Sequence, residues 1–529
     1  MAIDEMNPRT APMSSDPTAG VLPPLRKALS FPVLLGALLV GAVYANTSWN
    51  DIPGGQILAA GDTWWHIMMG RGILATGHWP TIERYSFTLA GDESVAYEWL
   101  GDLVIALAER LGSWQGLAGL LVLLSAAFLL LLYRLAYLRS GNAKAAAASC
   151  AVLLPVAAVF FNLRPQLLGF IFLLITLIRL ERYRQGSRKS VWVLPLVFLA
   201  WVNTHGTFAL GLLALGVFWV SGLAGFRRGC VEAERWKPQQ RRELLVVLLL
   251  CVAVLPITPY GSRLAAYPLE MALLRPAVLA NISEWYPLTL QQGVWAHVFL
   301  SLLLIFVLAQ ALLGALVYRL DELALLAFAV YESCLHVRFL FFFAIIFAPL
   351  LARLLSRWAP AYHPEKDKYA LNAALIGLLA LGLVALFPSN GALERAADTH
   401  YPRQAVESLR HHPELGPTFN ENAWGGYLIW SGQKVFIDGR DVYEHGGVLS
   451  DYVRIINLDP ETLRLLRKYG VKSCLLMRGS ALATFLGALP DWEEVYSDRL
   501  STLFVRRSGA TKYPVATSAD LDGRAVVGR

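Results

Sequence analysis

Long apolar runs recur along most of this 529-residue chain, and they limit its possible folds more than any other feature. Hydrophobic residues make up 56% of the sequence and charged residues 16%, whereas soluble proteins carry about 25% charged residues. A helix that crosses a membrane needs about 20 mostly apolar residues. The sequence therefore predicts a polytopic α-helical membrane protein with about 11 transmembrane helices.

Basic residues collect in short clusters between the apolar runs, as they do in cytoplasmic loops. With the first span at Phe31–Tyr44, every cluster of three or more basic residues falls on one side of the predicted membrane. We therefore predict a cytoplasmic N-terminus and an extracytoplasmic C-terminus. Because these clusters account for the net charge of +7, nucleic acid is not an expected partner. The five Cys residues are scattered without a CxxC pair, which predicts packing roles.

Composition divides the chain into four parts. Residues 1–25 are rich in Pro, Ser, Thr and Ala, which predicts a disordered cytoplasmic tail. Residues 26–388 form the predicted transmembrane domain, whose first outer loop (47–98) is long and polar. From 389 to 507, short apolar segments alternate with turn signals and helical patterns, which predicts a small soluble α/β domain outside the membrane. Residues 508–529 are predicted to be a second disordered tail.

Within the predicted outer domain, the apolar segments are Gly426–Trp430, Lys434–Ile437, Ser473–Met477 and Thr502–Val505. Helical patterns cover Arg403–His411 and Pro460–Tyr469. We interpret Gly425–Gly426 as a turn and Phe436–Arg440 as the end of a strand. Contact of Asp438 and Arg440 with an acceptor is the alternative.

The first outer loop brings ionisable side chains next to tryptophans at the expected membrane surface, where tryptophan anchors at the headgroup level. We predict an amphipathic helix in the interface over residues 63–76. A carboxylate at its start would lie within reach of a lipid headgroup, so we interpret this loop as the catalytic edge of a lipid-dependent transferase. The residues concerned are Asp62, Trp64, Trp65 and His66.

Asp62 has two compatible interpretations. Asp is a favoured N-cap, so this side chain could cap the helix expected to begin near Thr63. As a catalytic base, it would accept the proton of an acceptor hydroxyl while that oxygen attacks a sugar carbon. One carboxylate oxygen can cap the helix while the other faces the site.

Glu98 is the second candidate catalytic carboxylate. It stands four residues before Asp102, so one helix face carries both. Of two separated carboxylates, one could act as the base while the other binds the acceptor or coordinates a divalent metal. A divalent metal cofactor is therefore possible on the sequence alone. Glu83, earlier in the loop, is expected to be merely solvated. The histidines of the chain do not have the HxxxH or HExxH spacing of a metal site.

A leaving phosphate requires fixed positive charge, and the bidentate fork of Arg suits it. Arg164 and Arg338 are the stronger candidates, because Pro165 stops a helix after the first and almost no loop surrounds the second. A single arginine at a span end can instead extend to lipid headgroups. The full set at predicted outer span ends is Arg164, His205, Arg263, Arg275 and Arg338.

The first outer loop and the span after it resemble those of GT-C-type glycosyltransferases. The resemblance lies in Asp62, Glu98-Trp99-Leu100, Leu111-Gly112 and Leu132-Tyr133-Arg134-Leu135-Ala136. The pattern is similar to that of bacterial protein mannosyltransferase-like and aminoarabinose transferase-like enzymes. Those have an early acidic residue and two interfacial helices in this loop, and a soluble outer domain at the C-terminus. Their donors are polyprenyl-phosphate sugars.

This resemblance implies roles for particular residues. Asp62 matches the presumed catalytic acid of the family, and Glu98 stands near its second loop motif. Where the family commonly has an acidic pair this chain has Asp62-Thr63, and where it often has a proline pair this chain has Glu98-Trp99. The likeness covers about residues 30–140, while the outer domain is similar to that of uncharacterised bacterial membrane proteins.

Residues and resemblance together predict an inverting glycosyltransferase of a bacterial inner membrane, active on its outer face. It would move a sugar from a polyprenyl-phosphate donor to a glycan, lipid or protein acceptor. A transporter or flippase for lipid-linked sugars is one alternative, and a non-catalytic membrane assembly protein is another. Asp62 and Glu98 are the predicted catalytic residues. The predicted substrate-binding residues are Trp64, Trp65, His66, Arg164, His205 and Arg338.

Overall fold

The computed structural model of the protein describes residues 23–48, 52, 55–274, 283–290, 293–314 and 316–507. Helices dominate the part before Ser389. They are α1 (Pro23–Ala28), α2 (Phe31–Asn46), α3 (Asp62–Thr76), α4 (Trp99–Ser140), α5 (Ala143–Ala158), α6 (Pro165–Arg184), α7 (Leu194–Val202), α8 (Phe208–Ser221), α9 (Pro238–Ala253), α10 (Arg263–Leu274), α11 (Val294–Leu313), α12 (Leu320–Leu335), α13 (Leu340–Leu355) and α14 (Tyr369–Ala385). A sheet of three short strands joins two of the loops: β1 (Phe226–Arg228), β2 (Val231–Ala233) and β3 (Tyr318–Arg319).

The protein is a membrane protein by the length and composition of its helices. Within the described residues, three helical segments suffice to cross a bilayer, namely α4, α11 and Val337–Leu355. A fourth results if α14 and the helix Asn390–Ala397, bent by 59°, are one span. Helices α2, α5 and α8 are apolar but shorter. The count of about 11 spans therefore stays a prediction, because several apolar helices fall below the roughly 20 residues that a bilayer requires.

Helix α4 is bent within its length. Ser113 has φ 53° and ψ −135°, so a first helix from Trp99 ends there and a second continues to Ser140. The predicted division into a short helix and a spanning helix is correct, with the break next to Gly112.

Phenylalanines of α13 form the centre of the helical bundle. Phe341 is fully buried, and its ring lies 3.9 Å from Phe170 of α6 and 4.5 Å from Phe128 of α4. This packing sets the N-terminal ends of α6 and α13 side by side. Arg164 and Arg338 stand at those two ends, so an apolar contact brings the two arginines to one place.

The opposite end of the bundle holds a buried network of charges. Arg319 lies 2.8 Å from Glu181, Arg353 lies 2.8 Å from Glu322, and Arg184 lies 2.9 Å from Asp321. Arg139 joins the same carboxylates. Basic residues that the sequence places in cytoplasmic loops are thus paired inside the protein, where losing one partner of a pair costs about 3–5 kcal/mol.

The region after Ser389 combines helices with a four-stranded sheet. The order of its strands is β4 (Thr418–Asn420), β5 (Ser473–Met477), β7 (Ser501–Arg506) and β6 (Trp492–Ser497). Strand β4 runs parallel to β5, and the other neighbours are antiparallel. Ser473–Met477 and Arg403–His411 have the bounds that the sequence predicts. The elements are α15 (Asn390–Ala397), α16 (Arg403–His411), β4 (Thr418–Asn420), α17 (Asn422–Trp430), α18 (Val448–Ile456), α19 (Thr462–Lys468), β5 (Ser473–Met477), α20 (Ala481–Gly487), β6 (Trp492–Ser497) and β7 (Ser501–Arg506).

Two predictions for this region are wrong. Gly425 and Gly426 lie inside α17 and do not form a turn. Each allows a close backbone approach, because a Cβ on Gly425 would meet the carbonyl of Ile437 and one on Gly426 would meet the carbonyl of Gly61. Phe436–Arg440 ends no strand, although Val435 just before it forms a bridge with Ser86. In both places a tertiary contact decides the conformation.

Helix α3 occurs as predicted and ends at Gly77, which adopts a left-handed conformation with φ 68°. It packs between α4 and α17 of the C-terminal region, and its position on the membrane surface stays a prediction. Trp64 is only 1% exposed and lies in an aromatic cluster. Its neighbours there are Trp114, Tyr401, Tyr427 and Trp430.

Candidate functional site

A cavity of about 170 Å³ opens where α3, α4, α6 and the C-terminal region meet. The structure brings nearly all of the predicted site residues to its wall, although they come from distant parts of the chain. Trp64 is the exception, because it packs in the aromatic cluster instead. The predicted residues that line the cavity are Asp62, Trp65, His66, Glu98, Arg164, His205 and Arg338.

Asp62 is the first residue of α3 and points into the cavity. Its Oδ1 accepts a hydrogen bond from Trp65 Nε1 at 3.1 Å, and its Oδ2 lies 2.9 Å from Arg164 Nη2. The predicted capping role is wrong, because Gly61 occupies the N-cap position and no side chain caps the helix. Both carboxylate oxygens therefore contact side chains of the cavity wall.

Opposing effects set the pKa of Asp62. Burial raises the pKa above its usual value, while the positive charge of Arg164 and the hydrogen bond from Trp65 act in the opposite direction. A carboxylate with a raised pKa is a stronger base than a solvated one. This is the direction that general-base catalysis near neutral pH requires.

Arg164 forms ion pairs with two carboxylates. Besides Asp62, it contacts Glu284, with 2.8 Å between Arg164 Nη1 and Glu284 Oε1. The arginine therefore fixes Asp62 and holds the short segment around Glu284 against the end of α6. Little of its charge remains for a ligand.

Arg338 differs from Arg164 in its surroundings. Its guanidinium lies 4.5 Å from the centre of the Trp285 ring. In the described part of the chain it has no hydrogen bond or ion pair, so its donors are open to a ligand in the cavity. Of the other predicted cations, Arg263 pairs with Glu93 away from the cavity. Arg275 lies outside the described residues.

Two histidines and two carboxyl groups form a chain beside Asp62. His66 Nδ1 lies 2.6 Å from Asp102 Oδ1, and His66 Nε2 lies 3.7 Å from Glu98 Oε2. On the other side, His205 Nε2 lies 3.2 Å from Glu98 Oε1. The expectation that Glu98 and Asp102 share a helix face is correct, and His66 lies between them.

The hydrogen bond to His205 assigns the proton of that histidine. The backbone N–H of Thr207 donates to His205 Nδ1 at 3.0 Å, so the proton of neutral His205 is on Nε2, on the side of Glu98. Either His66 or Asp102 can supply the proton between His66 Nδ1 and Asp102 Oδ1, so this contact does not fix the tautomer of His66.

Burial shifts the protonation of this chain toward its neutral forms. It raises the pKa of Glu98 to about 8, and the negative charges of Asp441 and Asp62 add to the effect. Burial, with the positive charges of Arg338 and Arg164, lowers the pKa of His205 to about 3. The pKa of His66 is also well below its usual value, mainly through burial. Near pH 7 both histidines are neutral and Glu98 is largely protonated.

The sequence suggests that Glu83 is solvated, and this prediction is wrong. Glu83 lies in a buried network with Arg440. Arg440 Nη1 lies 2.6 Å from Glu83 Oε2, and Arg440 Nη2 lies 2.7 Å from Asp438 Oδ2. Tyr443 donates its hydroxyl proton to the same Asp438 carboxylate at 2.5 Å. The network ties the first outer loop to the C-terminal region on either side of Gly439. It leaves Asp438 fully engaged within the protein.

The described residues contain no group of three His, Cys, Asp or Glu side chains placed to hold a metal ion together. Of the carboxyl groups at or near the cavity, Asp62 pairs with Arg164, Asp438 with Arg440 and Asp102 with His66.

The cavity is also lined by residues that the sequence did not single out, among them Tyr267, Trp285 and Asp441. The side chains of Asp441 and Tyr267 are hydrogen-bonded to each other. Trp285 follows Glu284 in the second long outer loop, and Asp441 follows the Asp-Gly-Arg sequence at 438–440. Neither has a motif spacing that links it to Asp62, so only the fold identifies them.

Among solved structures, the fold of the chain is similar to the crystal structure of the oligosaccharyltransferase of Archaeoglobus fulgidus in its apo form. It has a TM-score of 0.50 and 12% sequence identity, and the match covers 85% of this chain and 69% of the other. At this identity the match shows the fold alone. No protein family model and no curated protein matches the sequence.

Proposed function

We propose that this protein is an inverting glycosyltransferase that moves a sugar from a polyprenyl-phosphate donor to an acceptor hydroxyl. The observation that carries the proposal is the pairing of Asp62 with Arg164 in a cavity that Arg338 also lines. Such a transfer needs a fixed carboxylate and a fixed cation, and Arg338 has no ion pair among the described residues. The likeness of the fold to an oligosaccharyltransferase supports the same function.

The reaction follows from these positions. The acceptor oxygen forms a bond to the anomeric carbon, and the bond from that carbon to the phosphate oxygen breaks. Asp62 takes the proton of the acceptor hydroxyl, and polyprenyl phosphate leaves with the bonding electron pair. Because attack and departure occur on opposite faces of the sugar, the anomeric configuration inverts.

Arg338 is the group that we assign to the leaving phosphate. Negative charge grows on this phosphate in the transition state, and a preorganised donor stabilises it there. Arg164 instead holds Asp62 in position, and neutral His205 carries no charge for the phosphate. The sequence alone proposed all three as phosphate ligands, and the contacts of the described residues favour Arg338.

The remaining features of the proposal concern the setting. The donor would reach the cavity from the bilayer on the outer face of a bacterial inner membrane, where the basic clusters place the first outer loop. A glycan, a lipid or a protein hydroxyl would serve as acceptor. The spans would hold the donor lipid, and the C-terminal region would close the cavity.

Asp62→Asn tests this function directly. The variant retains the size of the side chain but removes the base, and general-base catalysis contributes about 10²–10⁴ in rate. We expect normal insertion, normal binding of the lipid donor and almost no transfer of a labelled sugar from polyprenyl phosphate in membranes. Asp92→Asn, in an exposed part of the same loop, is the matched control and should transfer normally. Near-wild-type transfer by Asp62→Asn would refute the assignment.

The pH dependence gives a second test of the same base. Asp62 acts only when ionised, so transfer should rise with pH through its pKa, which lies above that of a solvated Asp. Replacing Arg164 by Gln removes the charge that opposes this shift. The acidic limb of the rate profile should then move to higher pH. An unchanged acidic limb would show that another group titrates there.

A further inference from the structure

The polar contacts around Glu98 do not fit the carboxylate role that the sequence suggests for it. Four carboxyl groups and three guanidinium groups line the cavity. Of the guanidinium groups, Arg164 is paired with Asp62 and Glu284, and Arg440 with Glu83 and Asp438. An ionised Glu98 would therefore add negative charge next to Arg338, the cation assigned to phosphate.

Glu98 has a defined place for a proton. The Nε2 proton of His205 is on the side of Oε1, with 3.2 Å between the nitrogen and the oxygen, which favours Oε1 as the carbonyl oxygen of a neutral acid. Among the described residues, the only basic side chains within 4 Å of the Glu98 carboxyl group are His66 and His205, and a largely desolvated carboxyl group without a cation favours its neutral form. The proton of a neutral Glu98 therefore belongs on Oε2. Because Oε2 is 3.7 Å from His66, beyond hydrogen-bond length, this O–H group is open to a ligand.

The position of Glu98 fits a binding role. It precedes α4 as the N-cap residue, yet its side chain makes no cap hydrogen bond. The side chain is 22% exposed, and it lines the cavity with Arg338. Arg338 is close enough to act electrostatically on both Glu98 and His205. A phosphate held by Arg338 would thus be within reach of Glu98.

We propose that Glu98 acts as a neutral carboxylic acid that donates a hydrogen bond to an oxygen of the phosphate held by Arg338. His205 is a positioning residue for this proton. The inference rests on the proposed function in one respect, since it takes the phosphate of a polyprenyl donor as the ligand. A pKa of about 8 is consistent with the neutral form near pH 7.

Ionisation of Glu98 at higher pH should then weaken phosphate binding. The charged and titratable groups that face Glu98 come from every element around the cavity. They are Asp62 and His66 of α3, Asp102 of α4, Arg164 before α6, His205 before α8, Tyr267 of α10, Arg338 before α13 and Asp441 of the C-terminal region. Near pH 7–9 both histidines stay neutral and the arginines stay charged, so the ionisation of Glu98 is the expected change.

The experiment measures binding of a short-chain polyprenyl monophosphate, without sugar, to the purified full-length protein in detergent between pH 7 and pH 9. We expect wild-type affinity to fall across this range by roughly ten- to a hundred-fold, the usual effect of losing a hydrogen bond to a charged group. Glu98→Gln keeps a donor but cannot ionise, so it should bind well at pH 7 and show no such fall. Glu98→Met, which has no donor, should bind weakly throughout.

A matched control is Glu93→Gln, which makes the same substitution in the same loop at a side chain that is 64% exposed. It should retain the wild-type profile. Inorganic phosphate as a competitor separates two sources of the ligand. Competition that follows the same pH profile identifies a general phosphate site, and weak competition identifies a site that also requires the lipid; both support the donor role.

Two results would overturn the inference. One is loss of binding in Glu98→Gln at pH 7, which would mean that the carboxylate itself is needed. The other is a wild-type affinity that does not change between pH 7 and pH 9. Transfer of labelled sugar, assayed in parallel, separates this inference from the proposed function. Binding with the expected profile but no transfer would refute the function alone, whereas transfer without the profile would refute the role of Glu98 alone.

Discussion

Gly439 lies against Asp62 so closely that a Cβ built on Gly439 would overlap Asp62 Oδ1. Asp62 belongs to the first outer loop and Gly439 to the C-terminal region. The C-terminal region therefore supplies part of the wall against which the candidate base is held. Gly439 contributes only its backbone to the site, and a motif search for catalytic residue types would not find such a contribution.

Gly439→Ala tests this contact. The new methyl group must displace the Asp62 carboxylate from Arg164 and Trp65, so we expect sugar transfer to fall by about a hundred-fold, the scale of misplacing a catalytic group by about 1 Å. Donor binding should change little. The control is Gly487→Ala, whose Cβ would have its nearest neighbour at 3.7 Å, an ordinary contact. Full transfer by Gly439→Ala would contradict a role for this contact in placing Asp62.

The network around Arg440 should contribute strongly to stability. Arg440→Ala leaves Glu83 and Asp438 as buried carboxylates without a cation, which typically costs about 3–5 kcal/mol in the free energy of unfolding. Arg263→Ala removes an exposed pair with Glu93, and such a pair contributes about 0–1 kcal/mol. Thermal unfolding of both variants in the same detergent compares them. A similar loss of stability in both variants would show that burial does not increase the contribution of the Arg440 network to stability.

Arg338 and Arg164 should affect different steps. Arg338→Ala removes the proposed phosphate ligand, so donor affinity should fall by roughly ten- to a hundred-fold, with partial recovery in Arg338→Lys. Arg164→Ala removes the partner of Asp62, so turnover should fall more than affinity. Steady-state kinetics with a labelled polyprenyl-phosphate sugar distinguish the two. Unchanged kinetics in both variants would leave these arginines as headgroup anchors.

The orientation of the chain in the membrane can be tested independently of activity. Basic clusters predict that residues near Ser389 lie outside and residues near Arg188 inside. A reporter that is active only in the periplasm should give a signal when fused after Ser389 and none when fused after Arg188. The reverse pattern would place the cavity on the cytoplasmic side and exclude an outward-facing site.

The predictions of helices and of candidate residues succeeded for different reasons. Apolar runs and caps are local, so α3, the break in α4 near Gly112 and the helix Arg403–His411 could be predicted from the sequence. The choice of Asp62, Trp65, His66, Glu98, Arg164, His205 and Arg338 relied on residue type and on expected positions at outer span ends. All of them line one cavity. Their chemical roles stay predictions until the variants above are measured.

Errors arose where distant segments meet. Glu83 looks solvated because it stands in a polar loop, and its partner Arg440 comes from the far end of the chain. Trp64 looks like a membrane anchor until α17 and Trp430 cover it. Likewise, the glycine pair at 425–426 looks like a turn, but it lets α17 approach the outer loop.

The sequence by itself determined that this protein crosses a membrane, since hydropathy and the spacing of charges act along the chain and need no tertiary partner. It also singled out the polar residues that stand next to the ends of the apolar runs. Only the tertiary structure decided which of them pair and which remain open to a ligand. Asp62 pairs with Arg164 and Glu98 meets two histidines, whereas Arg338 keeps its donors, because burial and electrostatics depend on distances in space that the order of residues does not contain.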